Sequence, residues 1–380
     1  MRPPISPATY IDHDRDFRQL IDRLTHEPLV AVDTESNSMY VYRERVCLVQ
    51  LSTRTADYII DPLRVADLSL LAVLFENPAI EKVFHAAEYD LLCLRRDYGL
   101  TVTTLFDTMV AARICGHRAV GLDRLLNIYL GIEAGKSHQR DNWGERPLPD
   151  EALRYAQRDT YYLPALRDKL YAELNERGMW VEALESFAEY ADVPLVDHAF
   201  DPEGYWRIAI PRSMKRRDVA ILRELYLLRD ELARERDVPP YRIMGDNVLV
   251  ALSEHPPAAL TDLKRVKGLG PTGISRYGAA ILKAVARGQK TTPPRPPPRP
   301  SRYSASAADR FTRLRDWRRE RADQRGVESD VIITKEALWA IAERNPQSLS
   351  ELEGIKGLGA WRLATYGADI LARLRETDAE

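Results

Sequence analysis

Short apolar runs alternate with amphipathic segments over the first half of this chain, and no other feature restricts its fold as strongly. The runs PLVAV, CLVQLST, ADYIID and KVFHA are apolar and often β-branched, which predicts strands. Helical periodicity marks the segments at residues 68–76, 89–97, 107–115, 122–129 and 150–176. Alternation of this kind predicts a layered α/β domain.

Four acidic residues lie where this local structure would aim them at a common point: Asp33, Glu35, Asp90 and Asp159. Residues two apart on a strand share a face, so Asp33 and Glu35 are predicted to point the same way, with Thr34 opposite. In the helix predicted over residues 150–176, Tyr155 and Asp159 are four residues apart and project from one face. We therefore expect a cleft lined by four carboxyl groups and one phenol.

A cluster of carboxylates repels itself unless cations neutralise it, and hard oxygen ligands suit Mg²⁺ or Mn²⁺. The chemistry that this predicts is two-metal phosphodiester hydrolysis. The alternative is solvated surface, because the chain has 57 Asp and Glu residues and a lone DxE ligates metal in roughly one case in ten. Asp33, however, follows an apolar run, where an unpaired carboxylate is costly unless it coordinates or pairs. For Tyr155, ordinary helix packing remains an alternative.

An ordered set of motifs carries a resemblance to a known family. The chain contains DTE, HAAEYDLLCLRRDYGL, LFDTMVAARICG, KSHQRDNWGERPL and YxxxD in this order. Over residues 10–175 the set resembles the ribonuclease D family of the DEDD exonuclease superfamily. One branch of that superfamily has a Tyr four residues before the last Asp, and the other has a His five residues before it. Tyr155 and Arg154 stand at these positions, so the chain resembles the tyrosine branch.

The resemblance implies a ribonuclease-H-like exonuclease domain, with a mixed sheet flanked by helices and the DxE strand at its centre. It implies that Asp33 bridges two divalent cations, Mg²⁺ or Mn²⁺, and that Asp90 supports one of them. Glu35 and Asp159 would complete the site of the ion that carries the attacking water. Two cations about 3.5–4 Å apart stabilise the attacking and leaving oxygens and lower the pKa of that water.

Tyr155 is assigned to orienting the attacking water. A phenol has an unperturbed pKa of about 10, so it is a poor base at neutral pH. The products implied by the resemblance are nucleoside 5′-monophosphates, released one at a time from a 3′ end.

Four other polar residues are weaker candidates. Lys136 matches a family position that contacts the substrate phosphate, where a cation makes electrostatic sense, and the alternative is a solvated loop lysine. His85 either touches the terminal ribose or is a satisfied core histidine, and the core interpretation is favoured. Asp107 and Asp141 are left out of the metal site, and LFDTM is typical of a helix N-cap.

The C-terminal half contains an internal repeat. VKGLGPTGISRYGAAIL at residues 266–282 returns as IKGLGAWRLATYGADIL at residues 355–371, a shift of 89 residues. Each copy predicts a compact all-α domain and resembles the HRDC domain shared by RecQ-type helicases and ribonuclease D. The GLG turn either permits a tight connection through positive φ, which we favour, or presents backbone N–H groups to a phosphate.

The predicted domains are an exonuclease domain over residues 1–195, helical domains over 212–290 and 303–380, and a Pro-rich linker over 291–302. Basic stretches lie around the domain junctions, at residues 212–217 and 295–321. Such runs are typical of solvated helix faces, although phosphate contact gains weight beside a nuclease.

Composition limits the class of protein. Hydrophobic residues make up 45% and charged residues 29%, which is typical of packed domains and excludes general disorder. The start lacks the apolar core of a signal peptide and no stretch approaches a membrane span, so we expect a cytoplasmic protein without a membrane partner. Cys47, Cys93 and Cys115 are far apart without a CxxC pair and are predicted to be reduced packing residues.

Three functions from different classes stay open. The leading one is a monomeric exoribonuclease that trims RNA 3′ ends, such as those of transfer-RNA precursors, with the helical domains gripping the RNA. The second is a proofreading or repair exonuclease acting on DNA, and the third is a nucleic-acid-binding protein with an inactive nuclease fold. Retention of all four acids and Tyr155 argues against the third, and the two helical domains favour the first over the second. Nothing in the sequence reads the 2′-hydroxyl that separates RNA from DNA.

Overall fold

The chain divides into two compact units in the computed structural model, which describes residues 5–133, 138–194, 199–211, 214–297 and 303–376. The first unit comprises Met1–Glu35, Val46–Val196 and Ser301–Glu380, and the second comprises Ser36–Arg45 and Asp197–Pro300. The second helical repeat therefore belongs to the same unit as the α/β part, and the first repeat does not. Within the described residues, no helix is both long and apolar enough to cross a membrane.

A six-stranded mixed sheet forms the centre of the first unit. Its strands are β1 (Thr9–Ile11), β2 (Leu29–Ser36), β3 (Val46–Ser52), β4 (Asp57–Ile60), β5 (Glu81–Phe84) and β6 (Leu105–Asp107). Their spatial order is β1-β4-β3-β2-β5-β6, so β2, which carries the DxE motif, is an inner strand as expected. β5 lies parallel to β2 and to β6, whereas β3 and β4 are antiparallel.

Among the described residues, the α/β part has eight α-helices and a short 3₁₀ helix at Leu68–Leu71. The α-helices are α1 (Asp14–Leu24), α2 (Ala72–Phe75), α3 (Glu88–Tyr98), α4 (Thr108–Ile114), α5 (Leu122–Leu130), α6 (Asp150–Tyr161), α7 (Leu163–Glu176) and α8 (Trp180–Ala191). The strands of the sheet are mostly apolar, and every residue of β3 is buried, because helices cover both faces of the sheet there. The cysteines Cys47, Cys93 and Cys115 are free and buried, as predicted.

The single helix predicted over residues 150–176 is wrong. The structure has two helices, α6 and α7, which meet at Tyr162. Pro164 lies in the first turn of α7, where its missing N–H costs nothing, but a continuous helix would have required that N–H as a donor. Strands β1 and β6 were not predicted, because a strand of three residues is too short to show a period. Helix α8 was not predicted either.

The two repeats have the same five helices in the same order. The first has α9 (Arg216–Glu235), α10 (Pro240–Ile243), α11 (Asp246–Glu254), α12 (Leu260–Leu263) and α13 (Pro271–Lys290). The second has α14 (Ala305–Arg325), α15 (Ser329–Ile332), α16 (Lys335–Arg344), α17 (Leu349–Leu352) and α18 (Ala360–Arg375). Each helix of the second copy begins 89 residues after its counterpart, which matches the sequence repeat. Each repeat also encloses its own apolar core.

Glycine is required at the equivalent turn of both repeats. Gly268 has φ +95° and Gly357 has φ +83°, the left-handed region that disfavours every residue with a Cβ. A Cβ on Gly268 would also approach Val248 to 2.9 Å. The turn therefore needs glycine for its geometry alone, in agreement with the favoured interpretation.

The second repeat is docked on α8 through buried ion pairs. Arg362, at the start of α18, is 4% exposed and donates to Glu185 Oε1 at 3.0 Å and to Ser186 Oγ at 3.0 Å. Arg325 donates to both carboxylate oxygens of Glu182, at 2.9 and 2.8 Å, and Glu182 is 1% exposed. Four buried or half-buried charges thus join two segments that lie far apart in the sequence.

Removal of Arg362 should destabilise this unit substantially. In Arg362→Met, Glu185 would lose its guanidinium partner in a half-buried site, and breaking such a pair costs about 3–5 kcal/mol. The matched control is Arg373→Met on the same helix, whose pair with Glu320 is exposed and contributes about 0–1 kcal/mol. Urea denaturation of the full chain measures both variants, and equal free energies of unfolding would contradict the docking.

The second unit contains the first repeat and the segment that follows β2. Tyr42 donates its hydroxyl to Asp230 Oδ1 at 2.6 Å and its backbone N–H to Asp237 Oδ1 at 3.1 Å. Tyr241 donates to the carbonyl of Met39 at 3.0 Å. The segment Ser36–Arg45, which continues directly from the DxE motif, therefore packs as part of the first repeat.

Candidate active site

Three of the four predicted acids form one cluster. Asp33 and Glu35 project from the end of β2, and Asp159 projects from α6. One carboxylate oxygen of each lies within 4.8 Å of the others. All three side chains are half-buried, so the cluster opens to solvent on one side while protein covers the rest. The alternation of the strand explains why the first two acids share a face.

Asp90 lies beside this cluster, and one of its carboxylate oxygens is hydrogen-bonded to strand β2. It is 7% exposed on α3, and its Oδ1 accepts the Thr34 N–H at 3.1 Å and the Thr34 hydroxyl at 2.5 Å. Thr34, which is predicted to lie opposite Asp33 and Glu35, thus binds the fourth predicted acid through its hydroxyl. Asp90 keeps a second carboxylate oxygen, and its charge still raises the pKa of Asp33 and of Glu35.

Burial and mutual repulsion hold the acids partly protonated when no cation is bound. Burial, followed by the neighbouring carboxylates, raises the pKa of Asp33 well above its usual range. The same causes raise the pKa of Glu35 to about 9. Burial also raises the pKa of Asp90 and of Asp159 to about 7 each, against an ordinary value near 4. A divalent cation would stabilise the ionised form of these four carboxyl groups. Carboxylate oxygens are also the ligands that Mg²⁺ and Mn²⁺ prefer.

The metal-free protein should lose stability as the pH rises. The folded pKa of each acid lies above its unfolded value, so between about pH 4 and pH 9 the folded state holds more protons and the free energy of unfolding falls with rising pH. The loss is on the order of a few kcal/mol. Thermal unfolding at pH 6 and pH 9 in chelator measures it, and added Mg²⁺ should restore stability mainly at the higher pH. A midpoint that rises with pH in chelator would contradict the clustered charges.

Tyr155 stands beside the cluster as a protonated phenol. It lies one helical turn before Asp159 and hydrogen-bonds its carboxyl group. Burial first, and then the charges of Asp159, Glu35 and Asp33, raise the pKa of Tyr155 far above its ordinary value. The phenol therefore donates a hydrogen bond at every physiological pH and cannot remove a proton.

The segment that follows the undescribed residues 134–137 is anchored beside Tyr155. Arg146 donates to both carboxylate oxygens of the fully buried Asp61, at 2.7 and 2.8 Å. Trp143 is 1% exposed and its ring lies 6.3 Å from that of Tyr155, centroid to centroid. Trp143 and Arg146 of the motif KSHQRDNWGERPL thus hold this segment against the sheet and α6, next to the acidic cluster.

A cavity opens over the cluster. It is lined by Asp33, His85, Asp123, Arg124, Gln139, Tyr155, Arg158 and Asp159, among other residues. His85 lies at this wall with its Nδ1 2.9 Å from the Thr108 hydroxyl, and burial lowers its pKa. A neutral imidazole at the cavity wall agrees with either predicted role, since it is both hydrogen-bonded inside the fold and within reach of a bound molecule. Lys136, the other substrate candidate, lies outside the described residues.

Sequence reasoning missed four polar residues of this wall, Asp123, Arg124, Gln139 and Arg158. Asp123 lies in the first turn of α5 and raises the pKa of Asp159 by its charge. Its only signal was an acidic residue at a helix start, which is common for reasons of the helix dipole. The two acids excluded from the metal site remain outside the cluster. Asp107 accepts the Met109 and Val110 N–H groups as the N-cap of α4, and Asp141 bonds His138.

Comparison with known proteins agrees with this architecture. A family model described as a 3′-5′ exonuclease matches residues 8–175, and a model of the HRDC domain matches residues 218–285 and 307–374. The chain is 31% identical to ribonuclease D of Acidiphilium cryptum over 376 residues, which is 97% of this chain and 93% of that protein.

Solved structures show the same fold. The crystal structure of Escherichia coli RNase D, described as an exoribonuclease involved in structured RNA processing, superposes with a TM-score of 0.70 at 24% identity and covers 98% of this chain and 100% of that one. The catalytic core of RRP6 from Trypanosoma brucei superposes with a TM-score of 0.69 at 28% identity, over 76% of this chain and 81% of that one.

The fold and the acidic cluster define a 3′-5′ exonuclease with a ribonuclease-H-like α/β domain followed by helical HRDC domains. The chain belongs to the ribonuclease D family, whose members are 3′-5′ exoribonucleases.

Proposed function

We propose that this protein is a metal-dependent 3′-5′ exoribonuclease that releases nucleoside 5′-monophosphates from RNA 3′ ends, including those of transfer-RNA precursors, and acts as a monomer in the cytoplasm. The observation that carries the proposal is the clustering of Asp33, Glu35 and Asp159 within 4.8 Å, beside a phenol that stays protonated. The partially buried, mutually repelling carboxylates fit a bound Mg²⁺ or Mn²⁺ better than they fit any role without a cation.

Each acid has a proposed role. By the family resemblance, Asp33 would contact both ions, and Glu35 and Asp159 would hold the ion that carries the attacking water. Asp90, with one oxygen held by Thr34, has its other oxygen available to the second ion, directly or through water. When bound, two such ions lower the pKa of a water and stabilise both oxygens of an in-line displacement.

The remaining cavity residues would orient the substrate. Tyr155 would donate its hydrogen bond to the attacking water instead of to the Asp159 carboxyl group, and so hold the water in line with the phosphorus. His85, as a neutral imidazole, offers a donor or an acceptor to the terminal ribose. Arg158, which also lines the cavity, offers a cation to the substrate phosphate. Lys136 is proposed for the same task.

Degradation of matched strands tests the choice between RNA and DNA. The protein with Mg²⁺ is given 5′-labelled single-stranded RNA and DNA of one sequence, and the products are resolved by length. We expect a ladder that shortens from the 3′ end of the RNA, at a rate at least about tenfold above that for DNA, as expected when a site contacts the 2′-hydroxyl. Faster degradation of the DNA strand would instead support a DNA exonuclease, and no degradation of either would support a binding protein.

A further inference from the structure

We propose that the first helical repeat binds the phosphate backbone of structured RNA through one exposed basic surface, and that the second repeat uses the equivalent surface to dock on the exonuclease domain. The first-repeat surface consists of Lys264, Arg265 and Lys267, in the turn between α12 and α13, and Arg276, in the second turn of α13. The inference deepens the proposed function and rests on it for the identity of the nucleic acid.

In the second repeat, carboxylates of α8 occupy the equivalent turn. Glu185 accepts the backbone N–H of Trp361 at 2.6 Å and of Arg362 at 3.3 Å, at the start of α18. Lys356, from the same turn, donates to Asp192 at 2.8 Å. A Cβ on Gly359 would overlap the Glu185 carboxyl group, so the acid sits directly against the turn. This scaffold therefore binds oxyanions through the lysine of its turn and the helix start that follows.

In the first repeat, the equivalent turn is open. A Cβ on Gly270, the counterpart of Gly359, would meet no atom within 4 Å in the part of the chain that the structure describes. Lys267, the counterpart of Lys356, is exposed, as are the other three cations of the surface. No hydrogen bond or ion pair joins these four side chains to another described residue. Arg265 does lower the pKa of Asp262, whose carboxylate is already bound by the N–H groups of Ala258 and Ala259.

The two copies also differ in charge at this surface. The positions of Lys264, Arg265, Lys267 and Arg276 are taken in the second repeat by Glu353, Gly354, Lys356 and Thr365. Four positive charges in the first repeat thus correspond to no net charge in the second. The difference lies on the same backbone scaffold, so folding of the helices does not require the extra cations.

The four cations lie close in the chain to the contact between α12 and α13. Gly278 of α13 packs against α12, because a Cβ there would lie 2.7 Å from Leu260 and 3.1 Å from Leu263. Lys264 and Arg265 directly follow α12, and Arg276 precedes Gly278 by two residues. The contact between α12 and α13 therefore lies close in the chain to all four cations, whose fields add.

Phosphate fits this surface better than an acidic protein helix. The second repeat holds its helix by a buried anchor, Arg362, which inserts between Glu185 and Ser186. The first repeat has Gly273 at that position, so it offers no side chain to insert. What remains is a set of exposed, long cations, which suits the evenly spaced charges of a nucleic-acid backbone.

The test neutralises the surface and a matched set of charges elsewhere on the same repeat. The surface variant is Lys264→Gln, Arg265→Gln, Lys267→Gln and Arg276→Gln, and the control is Arg216→Gln, Arg234→Gln, Lys283→Gln and Lys290→Gln, all exposed. Binding to a hairpin RNA with a single-stranded 3′ tail is titrated with salt, in an Asp33→Asn background so that the RNA is not consumed. We expect the surface variant to weaken binding at least about tenfold at about 0.1 M salt and to make the slope of log affinity against log salt shallower by roughly three, with the control unchanged.

A second surface variant tests whether weaker binding could come from misfolding of the first. Lys264→Glu with Arg276→Thr copies the residues that the second repeat carries at these positions, so the scaffold tolerates them. It should weaken binding in the same direction. Unchanged binding by both surface variants, or equal weakening by the control set, would overturn the inference, and the first of these results would favour an acidic protein partner.

Cleavage of a short single-stranded RNA by the same proteins tests the proposed exoribonuclease function separately from RNA binding by the first repeat. The surface variant in the otherwise native protein should cleave a short RNA with Mg²⁺ at the native rate, because the carboxylate cluster is untouched. If the native protein fails to cleave it, the proposed function is wrong, while the binding comparison still decides the role of the surface.

Discussion

Replacement of Asp33 by asparagine is expected to reduce RNA hydrolysis by more than about 10³-fold with no loss of folding. The amide keeps the size of the side chain but removes a negative charge from the centre of the cluster, and the effect should exceed the 10²–10³-fold typical of a single lost hydrogen-bond donor at developing charge. Asp159→Asn should act in the same way. Single-turnover degradation of 5′-labelled RNA with saturating Mg²⁺ measures the loss.

The same substitution should stabilise the metal-free protein. Burial and the charges of Asp90, Asp159 and Glu35 disfavour ionised Asp33, and an amide relieves that repulsion. In chelator at pH 9, Asp33→Asn should therefore unfold at a higher temperature than the native protein. Asp168→Asn, on the exposed side of α7, is the control and should change neither rate nor stability appreciably. Native turnover by Asp33→Asn would refute the assignment of the cluster as a metal site.

Tyr155→Phe should lower the single-turnover rate by about 10²–10⁴-fold, the range for loss of a positioned hydrogen-bonding group. The change removes one hydroxyl and keeps the ring that packs near Trp143. Because the raised pKa of Tyr155 makes it a donor and not a base, the pH profile of the residual activity should keep its shape. The metal concentration for half-maximal rate should barely change.

Tyr162→Phe provides the matched control, since it removes the same hydroxyl one residue beyond the end of α6. Its rate should equal that of the native protein. If Tyr155→Phe also retained the native rate, the tyrosine would be a packing residue, as the alternative interpretation of the sequence had it.

Local periodicity accounts for the part of the site that could be predicted. The strand before Asp33 and the helix spacing of Tyr155 and Asp159 each follow from a few neighbouring residues, so the sequence predicts their direction. The contact of Asp90 with Thr34 joins residues 56 positions apart and depends on how α3 packs over the strand. No short-range pattern reports such a contact, and for that reason nothing in the sequence indicated it.

The docking of the second repeat on α8 was not predicted from the sequence, for a different reason. Acidic residues spaced three and four apart on α8 are typical of a solvated helix face, and so are arginines on α18. Their pairing spans 177 residues between Glu185 and Arg362 and is visible only in three dimensions. The internal repeat, by contrast, was fully predictable, because two copies of one pattern are compared with each other and need no tertiary information.

Product analysis across metal conditions tests the central claim most directly. The native protein is incubated with a 5′-labelled RNA in chelator, and then with Mg²⁺ restored, and the released mononucleotides are identified by chromatography. The claim predicts no cleavage in chelator and, after Mg²⁺ is restored, stepwise shortening from the 3′ end with nucleoside 5′-monophosphates as the sole small products. Cleavage in chelator, or release of nucleoside 3′-monophosphates, would contradict it.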